Sequence, residues 1–276
     1  MPGAVTWAEG ALTSAFLGDD AMLGSMHSRF ERVVNLAFPL DEGPPLLLTV
    51  TRASLPQFPD SLCVPAEAFA ALRALPAGVP VLWQAGTLSL PGQTVLCGVA
   101  ASFLTPWKPP VLTSARAEAF LCLYRALRPS SGLDALPERL RASAVHGLLS
   151  FLDAVLVGHG SSESWPLGLG GGTTPAGDDA MVGILSALGC VASLLTPGLL
   201  EKTTDISAKY LRCAQEGYFS APVRAVWEDL SGSTLKALAR LGGTSGADML
   251  FGMALVCRWR LGQCKGISTR RRRAFF

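Results

Sequence analysis

Two regimes of hydrophobic spacing divide this chain. Up to about residue 112 the apolar positions fall in short runs with turn residues between them. Leu46–Thr51, bounded by Pro44-Pro45, reads as a strand, and Val79–Trp83, Thr87–Leu90 and Thr94–Ala101 follow as a meander. Ala66–Leu75 has the spacing of a short helix. Thr105–Pro110 holds three prolines in six residues and can continue neither a ladder nor a helix, so a boundary is placed there. Beyond it the period becomes helical. Helices are predicted over Ser114–Leu127 (with a Ser cap), Leu136–Val157, Gly177–Leu195, Glu201–Gln215, Ala221–Leu230, Ser233–Leu241 and Ser245–Leu261. The pattern predicts an α+β chain. A β-rich, meander- or barrel-like half spans 1–112, a mostly helical half spans 113–267, and a basic tail with four consecutive arginines occupies 268–276.

One interruption stands out. The run Gly168–Asp179 contains five glycines and leads into Ala180–Leu195, sixteen residues without a charge. A side-chain-poor loop thus delivers two carboxylates, Asp178 and Asp179, to the start of a helix that reads as buried. A second segment repeats the device: Gly246, Asp248 and Gly252 have the spacing of Gly177, Asp179 and Gly183, again after a Gly-Gly-Thr approach. In each copy a hydroxyl suits the N-cap, the Asp lies near the positive end of the helix dipole, and the later glycine admits another backbone. Facing one another, two such starts would line a pocket with N–H donors and carboxylates, which suits an anion or a divalent cation bound with one. A third match, Gly18–Gly24, lacks the glycine-rich approach and reads as coincidence.

Composition changes the picture little. The chain is 49% hydrophobic and 16% charged, enough for a real core, and some apolar surface is expected to be covered by partner subunits. A formal charge of +2 argues against nucleic acid and anionic membranes. Seven scattered cysteines without a CxxC read as free thiols in a reducing cytosol. No secretory signal or membrane span is read, and a cytoplasmic location is expected. The loop has no GK[ST] and follows no strand, so it is neither a P-loop nor a dinucleotide fingerprint. His27, His146 and His159 share no motif spacing: His146 reads as structural within a helix, His159 as an exposed loop residue. The six tryptophans are dispersed and read as packing residues.

Gly170–Asp179 resembles the G-P-G-L-T-P-S-G-D-D signature of the AllH family. Thr203–Gly217 is similar to a family stretch carrying Thr, Ser, Leu, Ala and Gly in that order, Leu241–Gly252 to its S-G-x-D-x-x-x-G block, and Ser28, Phe30 and Asn35 to its S-x-F-x-x-x-x-N patch. The order of the four blocks agrees. Gly171, Thr173, Ala176 and Gly243 depart from the family's usual Pro, Leu, Ser and larger polar residue. The resemblance implies a subunit of oxamate carbamoyltransferase in allantoin and purine catabolism. Its reaction moves a carbamoyl group between oxalurate and phosphate, giving oxamate and carbamoyl phosphate, in a multisubunit complex with two other chains.

Within that implication, Asp178, Asp179 and Asp248 are the candidate catalytic residues, with Asp178 and Asp179 as ligands if Mg²⁺ is used. Gly170, Gly171, Gly172, Thr173, Thr174, Gly177, Thr244, Ser245, Gly246, Thr204, Ser207, His27 and Asn35 are the candidate ligand-binding residues. The pocket is expected between the two halves, at the two helix starts. Carbamoyl transfer builds negative charge on a carbonyl oxygen, so fixed N–H donors matter more than a protein nucleophile. Two rivals stand beside this reading: a non-catalytic assembly subunit, and a Mg²⁺-dependent phosphate- or nucleotide-binding enzyme.

Overall fold

The computed structural model describes residues 8–9, 20–41, 44–52, 58–59, 61–84, 87–91, 93–96, 106–157, 162–189 and 194–263. The chain divides into two compact units at Thr105–Pro106, within the proline-rich segment.

The first unit is a curled sheet. Its strands are β1 (Ala8–Glu9), β2 (Met22–Arg29), β3 (Val33–Phe38), β4 (Leu46–Arg52), β5 (Ser61–Val64), β6 (Pro80–Gln84), β7 (Thr87–Leu90) and β8 (Gln93–Leu96), with helix α1 (Ala66–Ala74) between β5 and β6. Among the described residues the order is β1-β5-β4-β3-β2-β6-β7-β8, antiparallel throughout except for the β4–β5 pair. Alternation explains the core: Val34, Leu36 and Phe38 of β3 and Leu48 and Val50 of β4 are buried in one cluster with Phe69 and Leu72 of α1. The intervening residues Asn35, Thr49, Thr51 and Ser61 are also buried, and they are polar. Hydrogen bonds among them satisfy that face: Asn35 Nδ2 donates to Ser28 Oγ at 2.9 Å and Thr49 Oγ1 to Asn35 Oδ1 at 3.2 Å.

The second unit is helical: α2 (Ser114–Leu127), α3 (Glu138–Val157), α4 (Ala176–Leu188), α5 (Pro197–Leu200), α6 (Asp205–Gln215), α7 (Ala221–Glu228), α8 (Gly232–Ala239) and α9 (Ser245–Arg260). Short 3₁₀ turns occupy Gly132–Ala135 and Ser162–Ser164. Every residue from Ala176 through Ala187 is buried. Helix α4 is therefore core on all sides, which accounts for its uncharged sequence. Trp227 of α7 stacks on Phe120 of α2 with ring centroids 5.3 Å apart, and its indole N–H donates to Ser186 of α4 at 3.3 Å.

Several expectations are corrected. The helix predicted over Gly177–Leu195 stops at Leu188, because Gly189 takes the left-handed conformation (φ 62°) and its N–H returns to the Leu185 carbonyl. The helix predicted over Glu201–Gln215 begins only at Asp205: Thr204 caps α6 by accepting from the Ser207 N–H at 3.0 Å. Helix α2 is capped by Thr113 and not by Ser114. His146 is exposed, so it is no core residue; it lines an open groove of about 560 Å³ with Val145, Leu149, Phe251, Leu255 and Arg258. Strands β1, β2, β3 and β5 are not among those the pattern predicts. Met22–Gly24 runs inside β2, so the Gly18–Gly24 match is one of letters only. Cys63, Cys122, Cys213 and Cys257 are free thiols. His159, the remaining cysteines, the strand predicted beyond Leu96 and the basic tail lie outside the described residues. No described helix is long and apolar enough to cross a membrane.

Candidate functional site

The repeated device is a physical pair. A Cβ placed on Gly183 of α4 would lie 2.0 Å from the Met249 carbonyl oxygen of α9. A Cβ on Gly252 of α9 would lie 1.9 Å from the Ala180 carbonyl oxygen of α4. Each copy's later glycine rests on the other copy's first turn, so the two helices meet backbone to backbone. The approaches match as well: the Gly177 N–H donates to the Leu169 carbonyl and the Gly246 N–H to the Leu241 carbonyl, both at 3.0 Å.

Those carbonyls change the chemistry expected of the helix starts. The N–H groups of Gly177, Asp178, Asp179, Gly246 and Asp248 are all engaged by backbone carbonyls. Pro175 and Thr244 are the N-caps, and neither makes a side-chain cap bond. Five of the eight first-turn donors at these two starts are therefore taken by backbone carbonyls, and no side chain caps either start. The hydroxyls are used otherwise: Thr174 and Ser245 stand 2.8 Å apart, bonded across the two copies, and both bond the Asp179 carboxyl.

The three acids have distinct surroundings. Asp178 is fully partnered: Oδ1 accepts from the Gly168 N–H at 2.9 Å, and Oδ2 accepts from Ser207 Oγ at 2.7 Å and from the Thr203 hydroxyl. It ties the glycine-rich loop to the start of α6, and Thr204 adds a second tie by donating to the Thr173 carbonyl at 2.5 Å. A carboxylate held by three donors suits this fastening and leaves little for a Mg²⁺ ion. Among the described residues no three His, Cys, Asp or Glu side chains gather to hold a metal. Asp248 Oδ1 accepts from the Ser131 hydroxyl and, at 2.8 Å, from the Gly132 N–H. The 3₁₀ turn is thus a third helical start drawn to this place. Asp248 Oδ2 and Asp179 Oδ2 are buried without a hydrogen-bond partner.

Burial sets the protonation of all three. It pushes Asp179 well above the usual carboxylate range; the Ser245 and Thr174 hydroxyls oppose the rise, and the charges of Asp248 and Asp178 add to it. Burial also raises Asp248 against the Ser131 and Thr244 hydroxyls and the Gly132 and Leu133 N–H groups. It raises Asp178 against Thr203, Ser207 and Gly168.

The loop itself is exposed at Gly171, Gly172 and Thr173. Gly170 (φ 123°) and Gly172 (φ 93°) occupy conformations that favour glycine, and a Cβ on Gly171 or Gly172 would meet nothing within 4 Å. The N–H groups of Gly171, Gly172 and Thr173 make no hydrogen bond to described residues. Gly243 likewise faces open space.

Of the residues singled out in the sequence, Gly170, Thr173, Thr174, Gly177, Asp178, Asp179, Thr204, Ser207, Thr244, Ser245, Gly246 and Asp248 come together in the helical unit alone. His27 and Asn35 belong to the sheet unit, where His27 Nδ1 and Ser28 Oγ lie 3.1 Å apart beside the Asn35 bond. Sequence reasoning missed Ser131, Gly132 and the anchoring role of Thr203. The one available signal was the S-x-x-D capping box of Ser131 and Asp134.

The model of the AllH family, described as oxamate carbamoyltransferase subunit AllH, matches residues 166–257. The AllH family N-terminal domain model matches residues 4–101. No solved structure matches the chain. The first match begins just before the glycine-rich loop and ends within α9, so it contains the whole paired device. The two matches together cover most of the sequence, and the chain belongs to the AllH family of oxamate carbamoyltransferase subunits.

Proposed function

We propose that this chain carries the anion and substrate pocket of an oxamate carbamoyltransferase. The reaction is carbamoyl transfer between oxalurate and phosphate. A phosphate oxygen attacks the carbamoyl carbon, the bond from that carbon to the oxamate nitrogen breaks, and the phosphate hydroxyl proton ends on that nitrogen. The products are oxamate and carbamoyl phosphate. Charge grows on the carbamoyl oxygen during attack, and fixed N–H donors stabilise it.

The observation that carries this reading is the run Gly171–Thr173. Its three N–H groups make no hydrogen bond to described residues, Gly171 and Gly172 have open space where side chains would stand, and the run is fastened beside three buried carboxylates. Glycine allows an anion to approach the backbone closely, and the fastenings mean that little ordering remains to be done on binding.

Phosphate and carbamoyl phosphate are expected to raise the melting temperature of the purified chain. Gly171→Asp is expected to abolish that rise while leaving the melting temperature without ligand nearly unchanged. The new side chain has room, Gly171 needs no positive φ, and its charge repels the anion. Absence of a rise in the parent chain, or a rise retained in the variant, overturns the reading.

A further inference from the structure

We infer that the open groove between α3 and α9 seats an acidic amphipathic helix supplied by another subunit of the complex.

The groove lies wholly within the helical unit, and its floor is apolar: Leu133 of the 3₁₀ turn, Val145 and Leu149 of α3, Phe251 and Leu255 of α9. Leu133 and Leu255 are buried, and the other three are half-buried. Val145 and Leu149 are one helical turn apart, as are Phe251 and Leu255, so each helix presents a stripe along its own wall. Two helices whose facing stripes are only half covered leave the place of a third helix between them. A small ligand fits this trough poorly. Small-molecule pockets enclose about 70–90% of their ligand, whereas much of this rim faces solvent.

Charge decides what kind of helix fits. Arg141, His146 and Arg258 stand around the floor and make no ion pair or side-chain hydrogen bond among the described residues. The two acids of the rim are committed to helical starts: Asp134 Oδ2 accepts from the Ser131 N–H at 3.2 Å, and Glu138 opens α3. Arg258 is half-buried, and a guanidinium drawn partly from water is completed by a carboxylate, which it can bind through two parallel bonds. The occupant therefore carries acids on both flanks of its apolar stripe, one flank meeting Arg141 and His146 and the other Arg258. The family model over residues 166–257 is described as that of a subunit, so a second chain is expected against this one. The groove also adjoins the candidate site. Leu133 of its floor follows Gly132, whose N–H holds Asp248 Oδ1 at 2.8 Å, so a seated helix packs against the same turn that fastens this carboxylate.

The test uses the full-length chain co-expressed with the other subunits of its complex. A benzophenone photo-crosslinker introduced at Ala142, an exposed residue of the groove, is expected to join one helical segment of another subunit. That segment is expected to carry Asp or Glu on both sides of an apolar stripe. Arg141→Glu combined with Arg258→Glu is expected to weaken the complex by about tenfold or more, because like charges then face each other. The isolated double variant is expected to keep its melting temperature and its response to phosphate. Crosslinks to a second copy of this chain, or to a segment that is extended or basic, overturn the inference. So do an intact complex without crosslinks, unchanged affinity in the double variant, and a parent chain that remains alone beside the other subunits. Should the double variant fail to fold, the crosslinks decide, since both arginines are then in place.

Discussion

Asp179→Asn, assembled with its partner subunits, is expected to lose carbamoyl transfer by a factor on the order of 10² or more, the range seen when substrate is displaced by about 1 Å. It is expected to do so without loss of stability. The carboxamide is nearly isosteric and still bonds the Thr174 and Ser245 hydroxyls. The pH dependence gives an independent check. Burial raises the folded-state value of Asp179 far above the 3.8 of a free side chain, so between those two values the folded chain holds a proton that the unfolded chain has released. The buried acid therefore lowers stability progressively as pH rises through that window, and below it the penalty is absent. Asn cannot ionise. The variant's melting temperature should fall less steeply between pH 4 and pH 8 and should equal or exceed the parent's at pH 8. The flattening is partial, because Asp178 and Asp248 are raised in the same direction. Full turnover in Asp179→Asn would instead favour an assembly subunit with its chemistry elsewhere.

Gly183→Ala and Gly252→Ala are each expected to lower the melting temperature by about 5 °C or more, and Gly183→Val or Gly252→Val to prevent soluble folding. In an exposed helix interior Gly→Ala stabilises by about 1 kcal/mol. Here the new Cβ would stand 2.0 Å or 1.9 Å from a backbone carbonyl oxygen of the partner helix. A side-chain neighbour could turn away; a carbonyl inside a helix cannot move without its helix. Overpacking of this kind costs about 1–3 kcal/mol and more for larger groups, and for a chain of this length each kcal/mol corresponds to about 2–4 °C. Thermal melts of the two Ala variants settle the matter: unchanged or raised values would mean that the helices are not held by this contact.

Much of this arrangement was legible in the chain. An apolar run bounded by prolines gave β4, short runs with turn residues between them gave β7, the 3.6 period gave α2 and α9 almost to the residue, and the repeated Gly–Asp–Gly spacing identified the pair that meets. The failures have physical causes. Strands β2 and β5 are short or interrupted by polar residues such as His27 and Ser28, because the other face of the sheet is itself buried and hydrogen-bonded; alternation there carries no hydrophobic signal. Gly189 ended α4 seven residues early, since an apolar run does not reveal where a glycine takes a positive φ. At the site, residue types were legible and their partners were not. Local spacing suggested that hydroxyls would cap the helices, whereas carbonyls of the approach segments, at Leu169 and Leu241, took the N–H groups of the second helical residues. Asp178 and Asp179 are adjacent in sequence and equal in kind, yet one fastens the loop and the other is left with a bare oxygen. Only the positions of Thr203, Ser207 and Gly168 tell them apart.

The reciprocal seating of Gly183 on Met249 and Gly252 on Ala180 means that the gauge of the site is set by main-chain atoms. A gap held by interlocking side chains drifts as those side chains exchange; one held by two backbones in contact does not. Met181, Leu250 and Met253 pack around that contact without setting its width. The two copies are also locked to each other: a shift of either helix start displaces both carboxylates at once, so neither half of the device can be retuned alone.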